Sequence, residues 1–122
     1  SFLQGVRSFT GTVYGECGGY MVLGDGLTDA AGVRHRMAGL LPVDTSFALR
    51  KLHLGYRQLE CAGGPFPARL RGHEFHYSTA TARPGAEPLF KARNAAGHEL
   101  GTMGQRIGRV MGSYAHIIAS AP

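Results

Sequence analysis

A cysteine flanked by small residues, at the junction of two contrasting sequence patterns, is the residue best placed for chemistry. Residues 12–16 form a short β-branched and aromatic run, and Gly18–Leu23 is an apolar run at helical spacing, with Cys17 between them. This order predicts a strand, a sharp turn and then a helix, which is the layout of a nucleophile elbow. Glycine on both sides of Cys17 permits strained backbone angles and the close approach of a substrate.

The predicted helix would direct its free N–H groups and its positive end toward the Cys17 sulfur. This arrangement favours the thiolate, which is the attacking form of cysteine. The N–H of Gly18 follows the nucleophile and is therefore the predicted oxyanion donor. A buried structural cysteine after a strand is the alternative, because free cysteine is among the most buried residue types. The spacing alone leaves both interpretations open.

Composition excludes several classes of protein. The 122 residues suffice for one domain with a modest core. The net charge of +5 comes from basic residues scattered in pairs, which indicates a solvated surface rather than a nucleic-acid track. No stretch has the length of a membrane span. Cys17 and Cys61 are far apart and form no CxxC pair, which argues against a zinc site or disulfide framework and suits a reducing cytoplasm.

Local patterns predict a strand-rich chain with little helix. We expect helix at residues 1–9 and 18–23, strands at 12–16, 46–52, 54–59, 69–78 and 107–111, a hairpin pairing 89–93 with 99–103, loops at 27–36 and 79–88, and a Gly/Pro turn at 62–67.

Five sequence blocks, in order, resemble the cobyrinic acid and cobyric acid synthase type of glutamine amidotransferase. The blocks are residues 14–21 (YGECGGYM), 37–42 (MAGLLP), 54–57 (LGYR), 72–78 (GHEFHYS) and 112–116 (GSYAH). Within that family they resemble most the C-terminal amidotransferase domain of cobyrinate and hydrogenobyrinate a,c-diamide synthases. The resemblance covers nearly the whole chain and implies an α/β, flavodoxin-like domain of the class I amidotransferase type. It also implies that the N-terminal β-α-β part is missing, so that residues 1–122 are a partial domain from the nucleophile elbow to the catalytic histidine.

The resemblance implies that Cys17 is the nucleophile and that His116 is its general base and acid. Many amidotransferases carry a glutamate two positions after this histidine, where this chain has Ile118. Either the Cys–His pair suffices or another carboxylate orients the histidine. Glu16 and Glu74 are the candidates, and neither is compelling from sequence, because Glu16 is expected to face away toward backbone or a partner domain.

The 72–78 block has two further interpretations. The resemblance suggests that the backbone near His76, Tyr77 and Ser78 holds the α-amino or α-carboxylate group of glutamine; a strand with one polar face is the alternative. A zinc site at His73 and His76 is disfavoured, because HExxH needs a helix and residues three apart on a strand point to opposite faces. We therefore predict no metal site here.

The resemblance implies no cofactor in this chain, and ATP and Mg²⁺ for the full-length enzyme. The implied partners are glutamine and, through an N-terminal synthetase domain, a corrinoid; no nucleic acid or membrane is expected, and a homo-oligomer is left open. Without an upstream oxyanion donor and neighbouring strands, the isolated chain is predicted to be weakly stable or self-associating, with little glutaminase activity. A non-catalytic module that docks to a synthetase partner is the rival function, and a basic nucleic-acid-binding β domain is a weaker one.

Overall fold

The computed structural model describes residues 2–48, 51–61 and 66–120, which form a mixed α/β, strand-rich structure. The elements are α1 (Phe2–Ser8), β1 (Val13–Glu16), α2 (Gly18–Leu23), β2 (Gly26–Thr28), β3 (Arg34–Arg36), β4 (Val43–Ser46), β5 (His53–Glu60), β6 (Arg69–His76), β7 (Thr79–Ala82), β8 (Glu87–Asn94), β9 (Glu99–Ile107), β10 (Val110–Ser113) and β11 (His116–Ser120). None of the described helices has the length and apolar character that crossing a membrane requires.

The larger sheet has the strand order β1-β10-β9-β8-β5-β6-β11. β1 pairs with β10 in parallel, whereas the other neighbours in this sheet are antiparallel. The two end strands approach each other, because the Glu16 carboxylate of β1 accepts a hydrogen bond of 2.7 Å from the Ile117 N–H of β11. The sheet is therefore nearly closed, and this curl brings the chain's first strand and last strand together.

Two hydrophobic clusters hold the elbow strand and α2 in place. A smaller sheet, in the order β3-β2-β4-β7, lies on the side of α2. Tyr20 and Leu23 of α2 pack with Val43 of β4 and Val110 of β10 in one cluster. Met111, the next residue of β10, belongs to the second cluster inside the larger sheet. Because side chains alternate along a strand, β10 separates the two clusters and is buried on both faces.

Most long elements match the sequence-based predictions. The structure confirms the helices near the N-terminus and after Cys17, the strand into the elbow, β5, β6 and the β8–β9 hairpin. The predicted strand at 46–52 is wrong in position for its described residues, since β4 ends at Ser46, and residues 49–50 lie outside the described residues. The predicted strand at 107–111 is also displaced, because Gly108, with φ 55°, lies in the turn that joins β9 to β10. Residues 62–65 of the predicted Gly/Pro turn lie outside the described residues.

The two predicted loops are wrong because they contain short strands. Residues 27–36 include most of β2 and all of β3, and residues 79–88 include β7. These segments of three or four residues are too short for their alternation of apolar and polar residues to predict a strand. Their order comes from pairing in the smaller sheet, where β4 binds β2 on one side and β7 on the other. Such pairing joins segments distant in sequence, which local patterns do not report.

Candidate active site

The turn between β1 and α2 has the geometry predicted for a nucleophile. Cys17 lies between the end of β1 and the first residue of α2, with φ 53° and ψ −109°. Within the described ranges it is the single residue other than glycine with positive φ. Such angles are costly for a residue with a side chain and persist where the surroundings enforce them. The Cys17 N–H donates to the Ser113 carbonyl at 2.8 Å, and the Cys17 carbonyl accepts from the Met21 N–H at 3.1 Å. The predicted sharp turn is confirmed.

The glycines around Cys17 have different roles. A Cβ on Gly15 would lie 2.7–2.8 Å from backbone atoms of Gly19 and Tyr20, so only glycine lets α2 pack this closely on β1. A Cβ on Gly18 would meet nothing within 4 Å. Packing inside the chain therefore explains Gly15 but does not require glycine at Gly18. Gly18 is the first residue of α2, so its N–H has no intrahelical acceptor, and its role as oxyanion donor stays a prediction.

The parallel pairing of β1 with β10 places both predicted catalytic residues at one edge of the sheet. Glu16 is in register with Ser113 at the ends of these strands. Cys17 follows the first strand, and His116 begins β11 shortly after the second. The two strands therefore finish at the same edge of the sheet. Among the residues that the structure describes, no hydrogen bond joins the Cys17 sulfur to the His116 ring, so the catalytic pair itself stays a prediction.

Glu16 does not face away from the site, contrary to the sequence-based expectation. Its Oε1 lies 3.9 Å from the Nδ1 of His116. Its Oε2 accepts hydrogen bonds from the Ile117 N–H at 2.7 Å and from the Tyr14 hydroxyl at 3.1 Å. The part of the expectation that placed Glu16 on backbone is confirmed by the Ile117 contact. Sequence reasoning missed its proximity to His116, because β11 reaches it only through the closure of the sheet.

Tyr114 is buried beside the elbow, and the sequence analysis assigned it no role. Its hydroxyl shares a 2.6 Å hydrogen bond with Thr45, its ring meets Tyr20 edge to face, and it stacks on His76 with ring centroids 4.1 Å apart. Burial raises the pKa of Tyr114, hydrogen bonds to Thr45 and Ser78 oppose this, and the nearby Cys17 adds to the increase. The signal available in the sequence was its position in the 112–116 block, two residues before the predicted base.

The residues predicted to bind glutamine occupy the end of β6 and the residues that follow. His76 and Ser78 are buried, and Tyr77 is exposed. The Nδ1 of His76 is 3.2 Å from the Ser78 hydroxyl, and its Nε2 is 2.8 Å from the Glu74 carboxylate. Both ring nitrogens are thus engaged within the chain. The His76 ring is therefore not free to bind glutamine, and the predicted contact of glutamine with the backbone of this segment stays a prediction.

One group of side chains has a metal-like composition but a geometry that does not suit a metal. Ligand atoms of His53, Glu74 and His76 lie within 4.8 Å of one another. The His53 and His76 rings are stacked, 15° from parallel. An ion lies in the plane of each imidazole that binds it, so stacked rings cannot direct their lone pairs at one ion. Glu74 is also held by the Arg57 guanidinium at 3.0 Å. We assign Arg57, Glu74 and His76 as a hydrogen-bonded network, on which the His53 ring stacks.

The charges in this network depend on its surroundings. Burial alone would raise the pKa of Glu74, but the hydrogen bonds and charges of His76 and Arg57 outweigh it and hold that pKa below its usual range. Burial, followed by the proximity of His76, lowers the pKa of His53. His73 lies on the opposite face of β6, with its ring against Tyr56, which confirms that His73 and His76 do not share a face.

A strained cysteine between a parallel-paired strand and a short helix defines a nucleophile-elbow protein. The chain belongs to the CobB/CobQ-like glutamine amidotransferase domain family, whose sequence profile matches residues 3–122. The resemblance of the five sequence blocks is thereby confirmed.

Three curated relatives are each named hydrogenobyrinate a,c-diamide synthase. The protein of Brucella abortus is 59% identical over 108 residues, which cover 88% of this chain and 25% of the relative. That of Brucella anthropi is 52% identical over 121 residues, covering 96% of this chain and 28% of the relative. That of Mesorhizobium japonicum is 46% identical over 127 residues, covering 99% of this chain and 29% of the relative. The chain thus spans about a quarter of the length of these relatives.

Proposed function

We propose that this chain is the glutamine-hydrolysing part of an ATP-dependent a,c-diamide synthase in cobalamin biosynthesis. The observation that carries the proposal is the strained Cys17 at the elbow, at the same sheet edge as His116. The family to which the chain belongs and the names of its relatives support the substrate, glutamine, and the larger reaction. Among the described residues neither Cys17 nor Cys61 forms a disulfide, which suits a cytoplasmic setting for this chemistry.

The first half of the reaction forms a thioester. His116 takes the proton of the Cys17 thiol, and the sulfur attacks the carbon of the glutamine side-chain amide. The Gly18 N–H stabilises the oxygen of the tetrahedral intermediate, together with a second donor from outside this chain. His116 then gives its proton to the leaving nitrogen, so the C–N bond breaks and ammonia departs. The backbone of residues 76–78 holds the α-amino or α-carboxylate end of glutamine.

The second half restores the enzyme. Water attacks the thioester carbon with His116 as the base, the C–S bond breaks, and glutamate is released with the thiol reprotonated. The ammonia passes, shielded from solvent, to an acetate carboxylate of the corrin. In the complete enzyme, ATP and Mg²⁺ would supply the activation of that carboxylate, in a synthetase domain that contributes the corrinoid site. In this proposal the described strands are the second part of a flavodoxin-like domain whose leading β-α-β units lie outside residues 1–122.

Glutamate release by the complete polypeptide that carries this chain tests the proposal. Cys17→Ala is expected to reduce glutaminase turnover by at least about a thousandfold, since it removes the nucleophile. Cys61→Ala is the matched control, because Cys61 lies in the hydrophobic core and takes no part in the chemistry. Corrin amidation with added ammonium salt in place of glutamine should survive in Cys17→Ala. Glutaminase turnover that persists in Cys17→Ala would refute the assignment. A wild-type protein that releases no glutamate would favour the non-catalytic docking module.

A further inference from the structure

The position two residues after His116 lacks the carboxylate that many amidotransferases carry there. It is occupied by Ile118, an apolar side chain that is 59% exposed. A histidine that alternates between neutral and cationic forms benefits from a fixed acceptor on its second nitrogen, which sets its tautomer and stabilises the cation. The question is therefore which group in this chain faces His116.

We infer that Glu16 is the positioning residue for His116: a carboxylate supplied by the strand before the nucleophile replaces the one missing after the histidine. This inference rests on the proposed glutamine hydrolysis and deepens it. Glu16 touches neither glutamine nor the reacting atoms; it acts through the imidazole.

The contacts of Glu16 divide between its two oxygens. Oε2 accepts from the Ile117 N–H and from the Tyr14 hydroxyl, so this oxygen is fixed by two donors. Oε1 is the oxygen that faces the Nδ1 of His116, at 3.9 Å. Ile117 is the residue directly after His116, so one carboxylate holds the backbone beside the histidine and points at its ring. The hydrogen bond from the Ile117 N–H fixes the backbone beside His116 relative to the end of β1.

The remaining candidate carboxylate cannot take this role. Glu74 is bound by both Arg57 and His76 and is buried on the inner face of β6. His116 is instead in register with His73, the neighbour of Glu74, and directly paired residues of adjacent strands share a face. Glu74 and His116 therefore lie on opposite faces of the sheet.

The proposed step requires only a small adjustment. At 3.9 Å the Glu16 and His116 atoms are close enough for an ion pair when the ring is protonated, and the proposed hydrogen bond requires them to approach by about 1 Å when glutamine binds. With Nδ1–H donated to Oε1, Nε2 is the nitrogen left to take the thiol proton. The proton then moves from the Cys17 sulfur to Nε2 and on to the leaving amide nitrogen, which departs as ammonia. Because Glu16 directly precedes Cys17, the same strand end sets both members of the pair.

The test compares two substitutions that separate charge from structure, in the complete polypeptide. Glu16→Gln keeps an oxygen that can accept from the Ile117 N–H but removes the negative charge, whereas Glu16→Ala removes both. For Glu16→Gln we expect kcat for glutamine hydrolysis to fall about tenfold to a hundredfold, the effect of losing a close charge at a partly solvated site, with KM within about twofold of wild type. Glu60→Gln, an exposed residue of β5, is the matched charge control and should leave both constants unchanged.

Two results would overturn the inference. If Glu16→Gln keeps wild-type kcat while Glu16→Ala is impaired, Glu16 serves only as an acceptor for the Ile117 N–H. If Glu16→Gln raises KM and leaves kcat unchanged, the residue contributes to substrate binding rather than to the proton transfer. Failure of the underlying function appears differently, as glutaminase activity that survives Cys17→Ala or His116→Asn.

Discussion

Replacement of Gly15 by alanine tests whether the elbow depends on direct contact between β1 and α2. The new Cβ would lie 2.7 Å from the carbonyl carbon of Gly19 and 2.8 Å from the Tyr20 nitrogen. Both atoms belong to the backbone, so no side chain can rotate away. Ordinary contact begins near 3.4 Å, and α2 must therefore move by about 0.7 Å relative to β1. Overpacking of this kind costs about 1–3 kcal/mol.

Gly19→Ala is the matched control because it makes the same chemical change on the other side of Cys17. Its Cβ would meet nothing within 4 Å, and alanine is favoured over glycine inside a helix by up to about 1 kcal/mol. The free energies of unfolding of the two variants, measured by urea titration, should therefore differ by about 1–4 kcal/mol, with Gly15→Ala the less stable.

The same displacement should reduce catalysis. A misplacement of about 1 Å costs on the order of a hundredfold in rate, so Gly15→Ala should lose about tenfold to a hundredfold in kcat for glutamine hydrolysis. Equal stability of Gly15→Ala and Gly19→Ala would show that α2 does not pack on Gly15 as described, and the account of the elbow would then be wrong.

Three further predictions concern the surroundings of the site. Iodoacetamide at neutral pH should label Cys17 before Cys61, which is buried; mass spectrometry of the adducts checks this, and faster labelling of Cys61 would contradict the elbow. Tyr114→Phe leaves the buried Thr45 hydroxyl without its partner and should lower the free energy of unfolding by about 1–3 kcal/mol. Adding Thr45→Val should recover much of that free energy, and equal stability of the single and double variants would refute this. Because the pKa of Glu74 is lowered in the folded state, its contribution to stability is present above its unfolded pKa and is lost as pH falls through the folded pKa. Glu74→Gln should therefore reduce the dependence of the free energy of unfolding on pH in acid. An unchanged pH dependence of that free energy would contradict this prediction.

Local chemistry made the elbow predictable. The strand, the glycine, the cysteine and the helix follow one another within residues 12–23, so each part of the motif is visible without knowledge of distant contacts. The strained angles of Cys17 and the close approach at Gly15 are consequences of that order. The association of Cys17 with His116, by contrast, was predicted from the family resemblance and not from the spacing.

Contacts across the chain limited the remaining predictions. The approach of Glu16 to β11 links residues 101 positions apart and depends on the curl of a seven-stranded sheet, which no local pattern encodes. For the same reason β3 and β7 were predicted as loops, since each is short and ordered by a partner elsewhere. The network around Glu74 was also missed, because Arg57 joins it, and His53 stacks on it, from the adjacent strand, β5.

The direct test of the central claim is to trap the thioester. The complete polypeptide is mixed with glutamine carrying a carbon label, quenched in acid during turnover, and digested for peptide mapping. The account predicts label on the peptide that contains Cys17, released by hydroxylamine and absent in Cys17→Ser. Glutamate formation without any labelled peptide, or label on the peptide that contains Cys61, would contradict it.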